Sequence, residues 1–298
     1  MKYDKHDVAI NLAPTGMIPT KEMTPHVPVS PEEVIEDVHE CYELGITMAH
    51  IHARDEDGVP TYKPEIYARM IEGIRKYAPD LIICVSLSGR NFKEFEKRSA
   101  PLELDGSLKP DMGSLTLSSL NFNKEASMNS PEMIQQLAAH MKARGIKPEL
   151  EAFDAGMANY AKYLIQKGIV TPPYYCNVLL GNIACAQADM MHAGIIINDL
   201  PEETYWSLAG IGNAQLPMNS MSIATGGGVR VGIEDNIWYD SERTKLARNA
   251  DLVKRIHVIA SANGREIMKP SKMREILCLN AGNGEYGFAT EKTLETVA

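Results

Sequence analysis

Short apolar runs alternate along this chain with longer amphipathic ones. Val8–Pro14 (VAINLAP) predicts a strand. Ser30–Leu44 predicts a helix, with Ser30 as N-cap, Pro31 in the first helical position and Glu33 completing a capping box. Gly45 ends it. Met48–Arg54 (MAHIHAR) reads as the second strand and Pro64–Tyr77 as the second helix. Leu81–Ser88 reads as the third strand, with a charged helical stretch, Phe92–Ser99, behind it. Further strands are expected at Gly113–Ser119, Glu149–Asp154, Tyr174–Leu180, Thr204–Leu208 and Val229–Asp235. Helices are expected at Ser130–Arg144, Met157–Lys167, Ala186–Ala193, Pro217–Ala224 and Ser241–Asn263. Such alternation implies a parallel sheet. Eight βα units in 298 residues favour a closed (β/α)8 TIM barrel over an open doubly wound sheet. A single α/β domain is expected over residues 1–298. Residues 270–298 form a C-terminal extension, read as a segment that packs on a neighbouring subunit.

Composition narrows the class. Hydrophobic residues make up 44% and charged residues 23%, enough for a large core and too apolar for a disordered chain. A net charge of −9 argues against a nucleic-acid partner. The five cysteines are widely spaced and include no CxxC, which suits a reduced, cytoplasmic setting. The charged start at Met1–Asp7 does not read as a signal peptide, and no run reads as a membrane span.

The sharpest candidate chemistry is His50-Ile51-His52. Alternate strand residues share a face, so both imidazoles project together near a strand's C-terminal end, where barrel active sites lie. They can converge on a metal ion; the bland alternative is a hydrogen-bonded pair. Glu234, at the end of VRVGIED, is the candidate third ligand. Two His and one carboxylate leave coordination positions open, as in catalytic sites. Arg230 and Asp235 offer an ion pair in which Asp235 could act as a general base, though a weak one if the arginine keeps it ionised. Their odd spacing puts them on opposite strand faces unless the chain bends. Ser86 and Ser88, then Ser114, Thr116 and Ser118, alternate with apolar residues and would line a pocket or face helices. Glu149 and Glu151 alternate likewise; Glu151 is the preferred pocket residue. Gly226–Gly228 could offer backbone N–H groups to a phosphate, or simply form a turn. Asp55–Gly58 only superficially matches a calcium loop.

These residues sit in segments that resemble the β-keto acid cleavage enzymes. The segments are NLAPTG (11–16), TKE (20–22), VSPEE (29–33), AHIHARDEDG (49–58), SLNF (119–122), ELEAFD (149–154) and GGGVRVGIEDN (226–236). The resemblance implies a zinc-dependent TIM barrel, usually homotetrameric, that takes a β-keto acid and acetyl-CoA to acetoacetate and a new acyl-CoA. It implies zinc, or another divalent metal, on His50, His52 and Glu234. Arg230 would orient Asp235 as base. Ser86 would match the family's third-strand hydroxyl, and Thr116, with Ser118 as rival, its fourth-strand threonine. Members acting on an amino-bearing substrate carry a glutamate where this chain has Ile18. A substrate whose distal end is less cationic or more apolar is therefore expected. Relatives often carry His at Gly228, which suggests altered loop contacts with CoA. Arg54, Arg90 and Lys21 are candidates for the CoA phosphates. The rival reading is a metal-dependent hydrolase of the amidohydrolase kind, which needs further histidines; His140 and His192 fall in expected helices. A non-catalytic metabolite-binding barrel is the third reading.

Overall fold

The computed structural model describes residues 7–290. In chain order the strands are β1 (Ile10–Leu12), β2 (Met48–Ile51), β3 (Ile82–Val85), β4 (Met112–Thr116), β5 (Leu120–Asn121), β6 (Ala126–Ser127), β7 (Lys147–Ala152), β8 (Tyr174–Leu180), β9 (Thr204–Gly210) and β10 (Gly228–Val231). The helices are α1 (Pro31–Leu44), α2 (Pro64–Tyr77), α3 (Phe95–Ser99), α4 (Pro131–Arg144), α5 (Ala155–Gln166), α6 (Met190–Asp199), α7 (Gln215–Ala224), α8 (Asn249–Ala262) and α9 (Pro270–Ile276).

Eight strands close a parallel barrel in the order β1-β2-β3-β4-β7-β8-β9-β10, with β10 returning to β1. This is the expected TIM barrel. Its register places Asn11 beside Arg230, His50 beside Cys84, and Glu151 beside both Thr116 and Asn177. Alternation then builds two cores. Ile10, Ile51, Val85, Leu150, Val178 and Val231 point outward into the layer shared with the helices. Met48, Ile82, Met112 and Tyr175 fill the lower barrel interior. The charged residues named above occupy the interior's other end.

The caps form as the sequence requires. Ser30 Oγ accepts from Glu33 N at 3.2 Å while Glu33 Oε2 accepts from Ser30 N at 3.0 Å, and Gly45 follows with φ +99°. Several elements depart from expectation; α9 is one that was not foreseen. The antiparallel pair β5–β6, closed by Phe122 N donating to Glu125 O at 2.8 Å, was not foreseen. Helix α6 starts at Met190 rather than Ala186, because Asp189 caps it and Gln187 is held back by its bonds to Asn182 O and Cys185 O. Helix α8 starts at Asn249 rather than Ser241. Asp240 collects the N–H groups of Thr244 and Lys245 at 2.8 and 2.7 Å, which holds a loop where a helix was expected.

Residues 270–290 pack on this chain's own barrel, at the end opposite the strands' C-termini; residues 291–298 of the expected extension lie outside the described residues. Met273 and Leu277 join Met48, Ile82 and Met112. Arg274 grips Asp111, just before β4, through two bonds of 2.9 Å, and Gly287 N reaches the same carboxylate at 3.0 Å. Arg274 and Asp111 are both essentially unexposed. Breaking a buried pair leaves a charge uncompensated, so Asp111→Ala should lower stability by about 3–5 kcal/mol in urea denaturation. A loss below about 1 kcal/mol would show that the strap does not depend on this pair.

Candidate active site

The site is assembled where β2 and β10 end. His50 lies in β2 and His52 just beyond it, and both side chains face the barrel axis. Their Nε2 atoms are 3.1 Å apart, and His52 Nε2 lies 3.2 Å from Glu234 Oε1. One ligand atom from each of His50, His52 and Glu234 fits within a span of 4.8 Å. Glu234 is not on the strand. After Val231 the chain turns, with Asp235 N and Asn236 N both 3.3 Å from Gly232 O. This turn also resolves the parity problem. Arg230 Nε donates to Asp235 Oδ2 at 3.0 Å and Nη2 to Oδ1 at 3.3 Å, a fork on a residue that would face away in a straight strand. Arg230 Nη2 also donates to Glu234 Oε1 at 2.7 Å. Gly16, at φ +66°, presses its backbone on Glu234; a Cβ there would lie 2.5 Å from Glu234 Cγ.

His50 is set from below. Its Nδ1 lies 2.7 Å from Glu149 Oε2, so that Nε2 faces His52 and Glu234. Glu149, wholly buried, also accepts from Asn11 Nδ2 at 2.6 Å and from Asn177 Nδ2. Sequence reasoning favoured Glu151 and missed this role. The available signal was parity: Glu149 is a buried carboxylate on the same inward face as Glu151.

Burial works against a charged His50, but the Glu149 and Glu234 carboxylates together overcome it and hold the imidazole above its ordinary value. Burial leaves His52 below its ordinary value despite Glu234. Glu234 is held well down, since Arg230 and the two imidazoles overcome its desolvation. Asp235 goes the other way. Burial lifts it above the usual carboxylate range, Arg230 opposes the shift and the Glu234 charge adds to it. It is thus a better base than an arginine-paired carboxylate in water.

The remaining expected residues divide. Glu151 enters the site, accepting from Thr116 Oγ1 at 2.6 Å and lying 3.5 Å from Arg230 Nη1. Ser86 borders a narrow pocket beside His52, and its hydroxyl has no hydrogen-bond partner among the described residues. Ser118 is exposed past the end of β4, and Ser114 Oγ is taken by Leu87 N at 3.0 Å. Gly226 and Gly227 form the turn before β10 and Gly228 opens that strand, at the far end of the barrel. Arg265 holds the turn through bonds to Gly226 O and Gly227 O, so neither the glycines nor Gly228 can cradle a ligand at this site. Arg54 is spent on the carbonyls of Gly16, Pro19 and Gly58, and Lys21 on Glu33 and Pro25 O. Arg90 lies over the Phe122 ring, 3.5 Å from Glu125.

The donor set fits a divalent cation. Three buried carboxylates and a largely buried fourth (Glu149, Glu151, Asp235 and Glu234) share one buried arginine, a deficit of positive charge that an ion would fill. Glu234 Oε2 is buried without a hydrogen-bond partner among the described residues. A second cluster, His50–Cys84–Glu149, is a poorer cage. Its carboxylate is already engaged by Asn11 and Asn177, and burial pushes the Cys84 thiol well up, away from the thiolate a metal needs. His140 and His192, which a hydrolase would need near the metal, pair instead with Glu103 and Asp189.

Comparison with known proteins identifies the family. The family model described as beta-keto acid cleavage enzyme matches residues 7–279. A 3-oxoadipate:acetyl-CoA acetyltransferase from Cupriavidus necator is 36% identical over 276 residues, covering 91% of this chain and 94% of that protein. A 3-keto-5-aminohexanoate cleavage enzyme from Acetoanaerobium sticklandii is 34% identical, covering 90% and 97%. The solved apo structure of ObcA shares the fold, with a TM-score of 0.76 at 17% identity. The match covers 85% of this chain and 65% of that longer one.

Loss of Glu149 would free the His50 ring. Glu149→Ala should weaken binding of a divalent ion roughly 10- to 100-fold in chelator competition, the usual effect of removing a ligand's supporting carboxylate. Unchanged affinity would exclude the supporting role.

Proposed function

The chain belongs to the beta-keto acid cleavage enzymes, and from that premise we propose that it is a zinc-dependent acyltransferase. It takes a β-keto acid and acetyl-CoA to acetoacetate and a new acyl-CoA. The observation that carries this reading is the meeting of His50, His52 and Glu234 beside the Arg230–Asp235 pair. The names of its relatives support acetyl-CoA as co-substrate. The resemblance further supports a homotetramer working in the cytoplasm.

His50, His52 and Glu234 would hold the metal and leave coordination positions free. When bound, zinc supplies Lewis-acid polarisation of a substrate carbonyl, which acidifies the neighbouring C–H. Asp235 then takes a proton from C2 of the β-keto acid. Arg230 keeps that carboxylate oriented through both oxygens and balances its charge. Loss of the proton leaves C2 free to attack the thioester carbonyl. That attack expels CoA as its thiolate, which adds to the former keto carbon. The bond from that carbon to C2 breaks, CoA keeps the acyl group, and the departing carbanion takes back the proton held by Asp235 to leave as acetoacetate. Glu151, held by Thr116, and the Ser86 hydroxyl would position substrate, with Ser118 a poorer choice because it is exposed.

The pocket beside His52 and Ser86 supports the expected substrate end. Tyr62, Phe92 and Leu87 wall it, Lys97 and Arg98 add positive charge, and none of its lining residues is acidic. A distal ammonium would find no counter-charge there. A neutral, apolar or anionic terminus fits better.

Two measurements test the reading. Incubation with a panel of β-keto acids and acetyl-CoA should form acetoacetate and the matching acyl-CoA, more slowly for amino-bearing acids; hydrolysis alone would refute the transfer. Asp235→Asn should retain zinc by elemental analysis while kcat falls roughly 10²- to 10⁴-fold, the range for a lost general base. A near-normal rate would exclude Asp235.

A further inference from the structure

Glu234 and Asp235 stand on a turn, not on a strand, so something outside the ladder has to hold them. Backbone groups past the end of a strand lose their sheet partners and must be satisfied by side chains. At this turn the side chains are carboxamides. Asn219 Nδ2 donates to Arg230 O at 2.9 Å and Gln215 Nε2 to Gly232 O at 2.8 Å, both from α7. Asn249, the first residue of α8 and wholly buried, takes the next group. Its Oδ1 accepts from Ile233 N at 2.9 Å, directly before Glu234.

Asn249 does more than satisfy one N–H. Its Nδ2 donates to Pro14 O at 3.1 Å and to Asp37 Oδ2 at 2.7 Å. Pro14 lies two residues before Gly16, whose backbone abuts the Glu234 side chain, and Ala13 O accepts from Glu234 N at 3.2 Å. One amide therefore grips both segments that confine Glu234: its own turn and the loop after β1. Asp37 on α1 anchors that amide from behind. The amide's two functions are directional, since only a carbonyl oxygen can serve Ile233 N and only an NH2 group can serve Pro14 O and Asp37 together.

We propose that Asn249 is a positioning residue of the metal and base turn, setting Glu234 relative to His50 and His52. This rests on the metal reading given under Proposed function, and it concerns a side chain that touches neither metal nor substrate. A ligand held loosely binds more weakly, and outer-shell partners are typically worth 10- to 100-fold in metal affinity.

The test uses full-length zinc-loaded protein. Asn249→Leu, close in volume, removes both functions. Its zinc Kd in chelator competition should rise about tenfold or more. Its kcat should fall by at least a similar factor, on the same outer-shell scale, while KM for acetyl-CoA stays within about twofold. Leu137→Ala, a core change in α4 remote from the site, is the control for general destabilisation and should change neither zinc affinity nor kcat. Equal zinc affinity and kcat in Asn249→Leu, or the same losses in the control, would overturn the role. Should Asn249→Leu fail to fold, Asn249→Asp serves. It keeps the acceptor for Ile233 N, loses the NH2 group and sets a second buried carboxyl against Asp37, whose own carboxyl burial pushes up to about 7. Its zinc Kd should rise at least about threefold, a smaller effect within the same mechanism, and an unchanged Kd would refute the proposal. Wild-type protein that holds no zinc would refute the metal centre itself. Wild type that binds tightly beside an equally tight variant refutes the positioning role alone.

Discussion

One buried guanidinium answers to three carboxylates. Arg230 lies within 3.5 Å of Glu151, Glu234 and Asp235, and a fourth carboxylate, Glu149, sits one hydrogen bond beyond His50. Desolvated charges of one sign are tolerated only with compensation. The acids of this interior outnumber the arginine they share, and that imbalance supports the metal proposed above. Each expected role follows from how the four acids divide. Glu149 is saturated by neutral donors and one imidazole, so it supports. Glu234 keeps an oxygen without a partner among the described residues, so it can ligate. Asp235 is lifted by burial, so it can take a proton.

The arrangement has two ends with opposite tasks. At the N-terminal end of the strands, Met48, Ile82 and Met112 are sealed by Met273 and Leu277, and the Arg274–Asp111 pair ties the C-terminal segment down. At the C-terminal end, polar side chains replace methionines, and loops replace helices as the cover. A parallel barrel presents strand ends of one kind at each rim, so stability and chemistry separate along its axis. Residues that a scan of motifs could assign to ligand binding, such as Gly226–Gly228 and Arg54, prove to be structural on this criterion. The glycines lie at the sealed rim, and Arg54 is consumed by three carbonyls.

Much of the fold was legible because its signals are local. Capping boxes, Pro–Gly punctuation and alternation depend on residues a few positions apart, and they placed the barrel strands and the ends of α1 and α4. Where a side chain captured a distant or competing backbone group, the local pattern misled. Asp240 diverted an amphipathic stretch from α8, and Gln187 with Asp189 delayed α6. The hairpin β5–β6 left no alternation long enough to read.

The amino-acid sequence by itself determined the alternating strand–helix order, the shared face of His50 and His52, and the presence of an acid-rich motif at the end of the last strand. Those follow from the two-residue period of a strand and need no knowledge of what lies opposite. Only the tertiary structure decided that Glu149 rather than Glu151 supports His50, that a turn at Gly232 reverses the parity of Asp235, and that Asn249 ties the turn to the loop after β1. The His50–Glu149 and Asn249–Pro14 contacts join residues 99 and 235 positions apart, and the Arg230–Asp235 pair turns a side chain against its strand's alternation. Barrel closure and desolvation set them, and neither is a local property of the chain.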